Sequence, residues 1–287
     1  MKTILVPMLG VESDKTVLEL ASRVARRFAA HIDGLHVQRS AIEEIATLTM
    51  GEGMITQEIW DTIEGDNNRR AETAKAHFVK ACLDKSIPLG EKATQEAAWT
   101  AGWQCYMGNF RDEIVAQGRL RDLIVVGREH GLFGFTTGDL GAMLMACGRP
   151  MLFAPQSLPA TMGKTLAIAW KDTAESAHAL TAAMPLIKHA NHLVLLAAAE
   201  GGDAAASQNS ANALAAQLRW HGCDVDVRAL ACGHRRVAEV LVTEARTADA
   251  DMLVIGGYGH SRAREFVLVG VTRDLLEACS IPLLVTH

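Results

Sequence analysis

The stretch Gly256-Gly-Tyr-Gly-His-Ser-Arg262, followed after seven residues by Gly270-Val-Thr-Arg-Asp-Leu-Leu276, carries the residue types best suited to hold an anion. Glycine lets a backbone approach a ligand closely, and the first turn of a helix presents N–H groups that have no partner inside the helix. A glycine loop that opens a helix can therefore cradle a phosphate. His260, Ser261 and Arg262 add an imidazole, a hydroxyl and a guanidinium to the same loop. No Gly-Lys-Ser/Thr follows, which excludes a Walker-type loop. The position after the fourth strand-like run of its half, with a different glycine spacing, excludes the dinucleotide fingerprint.

Other chemistry finds less support. The eleven histidines form no His-Glu-x-x-His motif and no cluster with carboxylates, so no metal site is assigned. His31 and His36 flank a strand-like run, and His189 and His192 stand three apart; surface or helix-end positions account for them. His234-Arg235-Arg236 opens a helix and faces either an anion or solvent. There is no Gly-x-Ser-x-Gly elbow, and none of the six cysteines lies in a Cys-x-x-Cys pair, so no catalytic residue is assigned and reduced, mostly buried thiols are expected. A net charge of −5 argues against a nucleic-acid surface. No apolar run reaches the ~18–20 residues of a membrane span, and no signal peptide is visible, so a cytoplasmic protein is expected.

The elements that must position the loop repeat. Lys2-Thr-Ile-Leu-Val-Pro7 is echoed by Lys164-Thr-Leu-Ala-Ile-Ala169, Asp122-Leu-Ile-Val-Val-Gly127 by Asp251-Met-Leu-Val-Ile-Gly256, and Cys147-Gly-Arg-Pro150 by Cys279-Ser-Ile-Pro282. The reading is two domains, 1–155 and 163–287, joined by a linker with two prolines and a glycine. In the first, strands are predicted at 3–8, 32–38, 92–98, 122–127 and 150–154, with helices at 14–29, 66–84, 108–117 and 139–147. In the second, strands are predicted at 164–170, 192–198, 224–230, 251–256 and 282–286, with helices at 173–189, 203–221, 235–248 and 270–279. Continuous apolar strands alternating with amphipathic helices imply an α/β fold of two doubly wound, five-stranded parallel-sheet domains, whose ligands bind beyond the carboxyl ends of the strands. Residues 40–65 form an extra helical segment in the first half, either a lid on its own core or a partner-binding helix. Trp99, Trp103 and Tyr106 are read as packing residues ahead of a helix.

The loop resembles the universal stress protein signature Gly-x2-Gly-x9-Gly-Ser/Thr, and both halves resemble tandem members of that family in strand order and domain size. The resemblance implies adenine nucleotide alpha hydrolase-like domains of strand order 3-2-1-4-5 that pair within the chain as a pseudo-dimer, with a homodimer as a further pairing. It also implies ATP or AMP as ligand, with Mg²⁺ accompanying ATP. Carried across by position, Gly256 and Gly259 are the first two signature glycines, Val269 stands where the third falls, and Gly270 takes the Ser/Thr place. Val271 and Thr272 match positions that meet phosphate, and Ile255 matches the apolar neighbour of the adenine. Lys171 occupies the acidic position at the end of the domain's first strand, with Asp172 one residue later. The first half's loop is shorter, and His130 replaces its second glycine, so no nucleotide is expected there. The alternative is a scaffold that binds no nucleotide and works through protein contacts, which Val269 and Lys171 favour.

Overall fold

The computed structural model describes residues 1–39, 57–90, 99–128, 134–199, 204–257 and 270–287. Contacts divide the chain into a first compact unit, Met1–Gly127, and a second that includes Arg128 and Phe135–His287. The sequence places its join later, at 155–163, because the repeat ends there; the helix and strand before it pack with the second unit.

In the first unit, strands β1 (Thr3–Pro7), β2 (His31–Gln38), β3 (Thr100–Met107) and β4 (Leu123–Val126) lie parallel in the order β3-β2-β1-β4. Helices α1 (Asp14–Phe28), α2 (Gln57–Asp84) and α3 (Phe110–Gly118) make the crossovers. β1 and β4 are fully buried along Ile4–Val6 and Leu123–Val126, as expected of strands covered on both faces.

Two expectations are corrected here. The third described strand runs over Thr100–Met107, whereas the predicted segment 92–98 lies outside the described residues. Trp103 and Tyr106 enter the sequence reading only as packing residues ahead of a helix, without the strand that carries them. Pairing decides instead, because β3 matches β2 residue for residue from His31–Thr100 to Gln38–Met107. In the extra segment, residues 40–56 lie outside the described part, while Gln57 onward is continuous with α2 and not a separate helix. Nothing between Gln57 and Asp66 breaks a helix, and Gly65 is tolerated inside it.

The second unit contains α4 (Thr137–Cys147), β5 (Met151–Phe153), β6 (Thr165–Ala169), α5 (Ala174–Ile187), β7 (His192–Ala199), α6 (Ala204–Arg219), β8 (Val225–Ala231), α7 (Val237–Thr247), β9 (Met252–Gly256), α8 (Val271–Ala278) and β10 (Leu283–Thr286). Each predicted element of this half lies within about two residues of its observed bounds, the uncertainty usual for element ends. The strand order is β5-β10-β9-β6-β7-β8. β8-β7-β6-β9-β10 is the doubly wound 3-2-1-4-5 order, all parallel. β5 adds antiparallel to β10, pairing Phe153 with Leu283 and Met151 with Val285, so the sheet is mostly and not wholly parallel. These two strands are the Pro-led runs that repeat in the sequence.

Arg128 anchors the start of the second unit. Its guanidinium donates to the carbonyl oxygens of Cys279 (2.5 Å), Ile281 (3.0 Å) and Ala154 (3.2 Å), with Leu275 and Leu276 at 3.4 and 3.5 Å. The shortest of these contacts fall on Cys279 and Ile281, just past the end of α8.

In the first unit, Asp33 is buried on β2. Arg121 Nε donates to its Oδ2 at 2.6 Å, and His31 Nε2 lies 3.3 Å from Oδ1. Burial alone would raise this carboxyl, but hydrogen bonds from His31 and Arg121 outweigh it and hold the pKa below the ordinary value. A depressed folded pKa contributes stability above the unfolded value of ~3.9 and loses it as pH falls through the folded one. The urea midpoint is expected to fall as pH drops from about 5 toward 3. Asp33→Asn should flatten that slope and cost about 2 kcal/mol at neutral pH; an unchanged slope would remove Asp33 from the account.

Candidate functional site

In the second unit the chain leaves β6 toward β7 on one side, while β9 and β10 lie on the other. The gap between the carboxyl ends of β6 and β9 is therefore the switch point where open α/β sheets bind ligands. Ala169 pairs with Ile255 across it, so Trp170-Lys171-Asp172 leaves the sheet beside Gly256.

Gly256 is fixed by space. A Cβ there would lie 2.5 Å from Glu175 C and Ser176 N and 2.6 Å from Glu175 O. The first turn of α5 is thus seated directly on the end of β9. That helix starts well by itself, with Thr173 Oγ1 accepting from Ser176 N at 3.4 Å. Gly257 N donates to Thr286 O at 2.6 Å, and a Cβ on Gly257 would meet Val285 and Leu144 side chains. Beside this turn Thr286 is 5% exposed, and among the described residues its hydroxyl oxygen has no hydrogen-bond partner.

α8 begins at the same edge, because it runs back from the end of β9 to the start of β10. Its N-cap, Gly270, has φ +116° and ψ −157°, a region essentially reserved for glycine, and among the described residues no side chain caps the helix. Among the described residues, no atom lies within 4 Å of where a Gly270 Cβ would stand. The amides of Val271 and Thr272, both half-buried, open that helix. Asp274, in the first turn, would repel an anion, but Arg236 stands 3.4 Å from its Oδ2. The matching helix of the first repeat, α4, starts differently. Thr136 Oγ1 accepts from Asp139 N at 3.0 Å, and Asp139 Oδ2 accepts from Thr136 N at 3.1 Å, a complete capping box.

The structure therefore brings Ile255, Gly256, Lys171 and Asp172 to one strand-end edge and opens α8 there with Gly270, Val271 and Thr272. Ile255 is buried, whereas Lys171 and Asp172 are exposed. Gly259, His260, Ser261 and Arg262, with Val269, lie outside the described residues. No group of three His, Cys, Asp or Glu suited to a metal occurs among the described residues. None of their helices is long and apolar enough to cross a membrane.

Residues passed over in the sequence gather in the first unit. His36 is not at the surface; it is 6% exposed and its Nδ1 donates to Met8 O at 2.8 Å. With Gln38, Arg39, Asn67, Arg70 and Phe110 it lines a small cavity at the carboxyl ends of β1 and β2. The readable signal was His36-Val-Gln-Arg39 at the end of a strand, where ligand contacts are expected.

Residues 163–287 match the universal stress protein family. No curated protein matches the sequence. A universal stress protein from Archaeoglobus fulgidus DSM 4304 superposes with TM-score 0.71 at 14% identity, over 99% of this chain and 96% of its own. A protein from Pseudomonas aeruginosa UCBPP-PA14, assigned provisionally to the same family, gives 0.57 at 13% identity over 100% and 93%. At these identities the likeness is one of fold.

The glycine geometry yields an expectation. Ala at 256 collides with backbone, which cannot swing aside, so Gly256→Ala should cost about 1–3 kcal/mol in urea unfolding. Gly65→Ala, where nothing lies within 4 Å, should instead gain about 0.5–1 kcal/mol. Equal effects of the two would show that the packing at Gly256 has been misread.

Proposed function

We propose that the chain is a tandem universal stress protein whose second domain binds an adenine nucleotide, ATP or AMP, as a regulatory or binding module and not as a catalyst with its own reaction centre. The observation that carries the reading is the opening of α8: a Gly270 N-cap without a side-chain cap, at the switch-point edge, in the part of the chain that matches the family. Unpartnered helix amides and the positive end of the helix favour a phosphate. The Thr286 hydroxyl, buried without a partner, is a further polar group awaiting one at this edge. Ile255 would flank the base, Thr272 would offer its hydroxyl to phosphate, and Lys171 or Asp172 would lie beside the ligand, with Mg²⁺ entering only together with ATP. The first repeat's helix holds its own carboxylate at its N-terminus, which disfavours a second anion there.

A second reading, a scaffold that acts through protein contacts without nucleotide, is favoured by Trp220, a large aromatic that is 87% exposed.

Thermal unfolding with and without Mg·ATP separates the two. A ligand held at 100 times its dissociation constant adds about 2.7 kcal/mol, and the nucleotide reading expects a concentration-dependent rise in midpoint that Thr272→Val diminishes. A midpoint indifferent to ATP and AMP up to millimolar concentration would leave the scaffold reading.

A further inference from the structure

Strand β8 (Val225–Ala231) ends the strand order of the second unit, with β7 on its one paired side. A parallel ladder takes its hydrogen bonds from alternate residues of each strand. The bond from Leu193 N to Asp224 O, at 2.9 Å, fixes which ones. With Leu193 opposite Val225 and the register kept as far as Ala199 opposite Ala231, it is Asp224, Asp226, Arg228 and Leu230 that bond toward β7. Val225, Val227, Ala229 and Ala231 therefore turn their N–H and C=O groups outward. Among the described residues only the Val225 carbonyl of this set is taken, by Arg219 Nη2 at 3.1 Å. The edge strand of the first unit, β3, is covered instead. There Ala101 N donates to Pro88 O and Ala101 O accepts from Gly90 N, both at 2.9 Å.

Open edges are ordinarily guarded by proline, bulges or charges that deter a second chain. Val225-Asp-Val-Arg-Ala-Leu-Ala231 has no proline and an unbroken register with β7. Its two charges are opposite in sign and two residues apart, so they share one face of the strand. Arg228 Nε donates to Asp226 Oδ2 at 3.2 Å, and Arg228 Nη1 stands 3.5 Å from Glu244 Oε2. This arrangement is self-complementary. A second copy related by a two-fold axis perpendicular to the sheet presents the same edge, antiparallel. Centred on Val227, the pairing sets Asp226 opposite Arg228 of the partner subunit, twice about the axis. Centred one residue earlier, Asp226 meets Asp226 of the partner subunit; one residue later, Arg228 meets Arg228 of the partner subunit. Opposite charges directly across a ladder stabilise it and like charges destabilise it, so the register on Val227 is selected. Trp220, 87% exposed, stands in the turn that leads from α6 into this strand, and tryptophan is enriched where proteins meet.

We propose that β8 is a homodimerisation edge, along which two copies of this chain pair antiparallel, centred on Val227. The pairing goes beyond the nucleotide reading and does not rest on it, since β6 and β7 lie between β8 and the end of β9.

Sedimentation of the full chain from micromolar to millimolar concentration, with amide hydrogen exchange at both ends of that range, is the test. A concentration-dependent dimer is expected, with exchange slowed at Val227 and Ala229. Val227→Pro removes an outward N–H and leaves the β7 ladder intact, so it should abolish the dimer. Asp226→Arg places like charges opposite each other twice and should weaken the dimer about tenfold or more. The charge-swapped double variant, Asp226→Arg with Arg228→Asp, should recover what Asp226→Arg loses, a result that simple misfolding would not give. The assignment is overturned if the parent chain stays monomeric throughout, or if a folded Val227→Pro or Asp226→Arg variant dimerises as tightly as the parent. It is equally overturned if the charge swap recovers nothing, or if the slowed amides lie elsewhere and not at Val227 and Ala229. Should one variant fail to fold, the other decides together with the exchange pattern of the parent.

Discussion

The second unit depends on one steric constraint: the backbone of Glu175 and Ser176 occupies the volume that a side chain at position 256 would need. A parallel strand must hand its chain to a helix on one face of the sheet, while a neighbouring helix covers the same edge. Without a Cβ at Gly256, α5 settles directly on the end of β9, and the turn after β6 that carries Lys171 and Asp172 is drawn to the same edge. The sheet register then places Ile255 opposite Ala169 and Gly256 opposite Thr286. Three strand ends and one helix start are held there by packing and ladder hydrogen bonds.

α8 needs more help. At eight residues it is too short to be stable through its own hydrogen bonds. Leu275 and Leu276 bury its apolar face, and Arg128 donates to the carbonyls of Cys279 and Ile281 just past its last turn. A charged donor at a helix C-terminus complements both its unpaired acceptors and its dipole. Arg128 lies directly after Gly127, within the loop that in sequence reads as a degenerate copy of the one after Gly256. Arg128 itself thus has a structural task, at the carbonyls just past the end of α8.

Much of this was legible from residue pattern. The second half's elements follow from continuous apolar strands and capped amphipathic helices, with Thr173 and Gly270 marking two starts. The repeat of Pro150 and Pro282 marked two equivalent strands, although not that they would pair with each other, because antiparallel pairing of duplicates is a tertiary choice. The third strand escaped because Gly102, Trp103 and Tyr106 carry no strand alternation; β2 supplies the template that makes them extended, with Gly102 allowing the close approach of His31, whose Nε2 would lie 3.2 Å from a Cβ there. The cavity under Arg39 and Arg70 was unreadable for a similar reason. Its members come from β2, α2 and α3, and only folding shows that Asn67 reaches back to residue 39.

The two helices that follow the repeated strand ends Leu123–Val126 and Met252–Gly256 start differently. α4 satisfies its first amides with its own Thr136 and Asp139 and so carries a carboxylate at the positive end of its dipole. α8 begins with a glycine that has nothing to donate or accept from its side chain, and the nearest first-turn acid, Asp274, is engaged by Arg236. A capped helix gains about 0.5–2 kcal/mol from its cap. An uncapped helix forgoes that stability and keeps its donors free to be satisfied by something else. Between two helices that follow similar strand ends, the difference lies in cap chemistry: one start is closed by its own Thr136 and Asp139, and the other opens on a glycine.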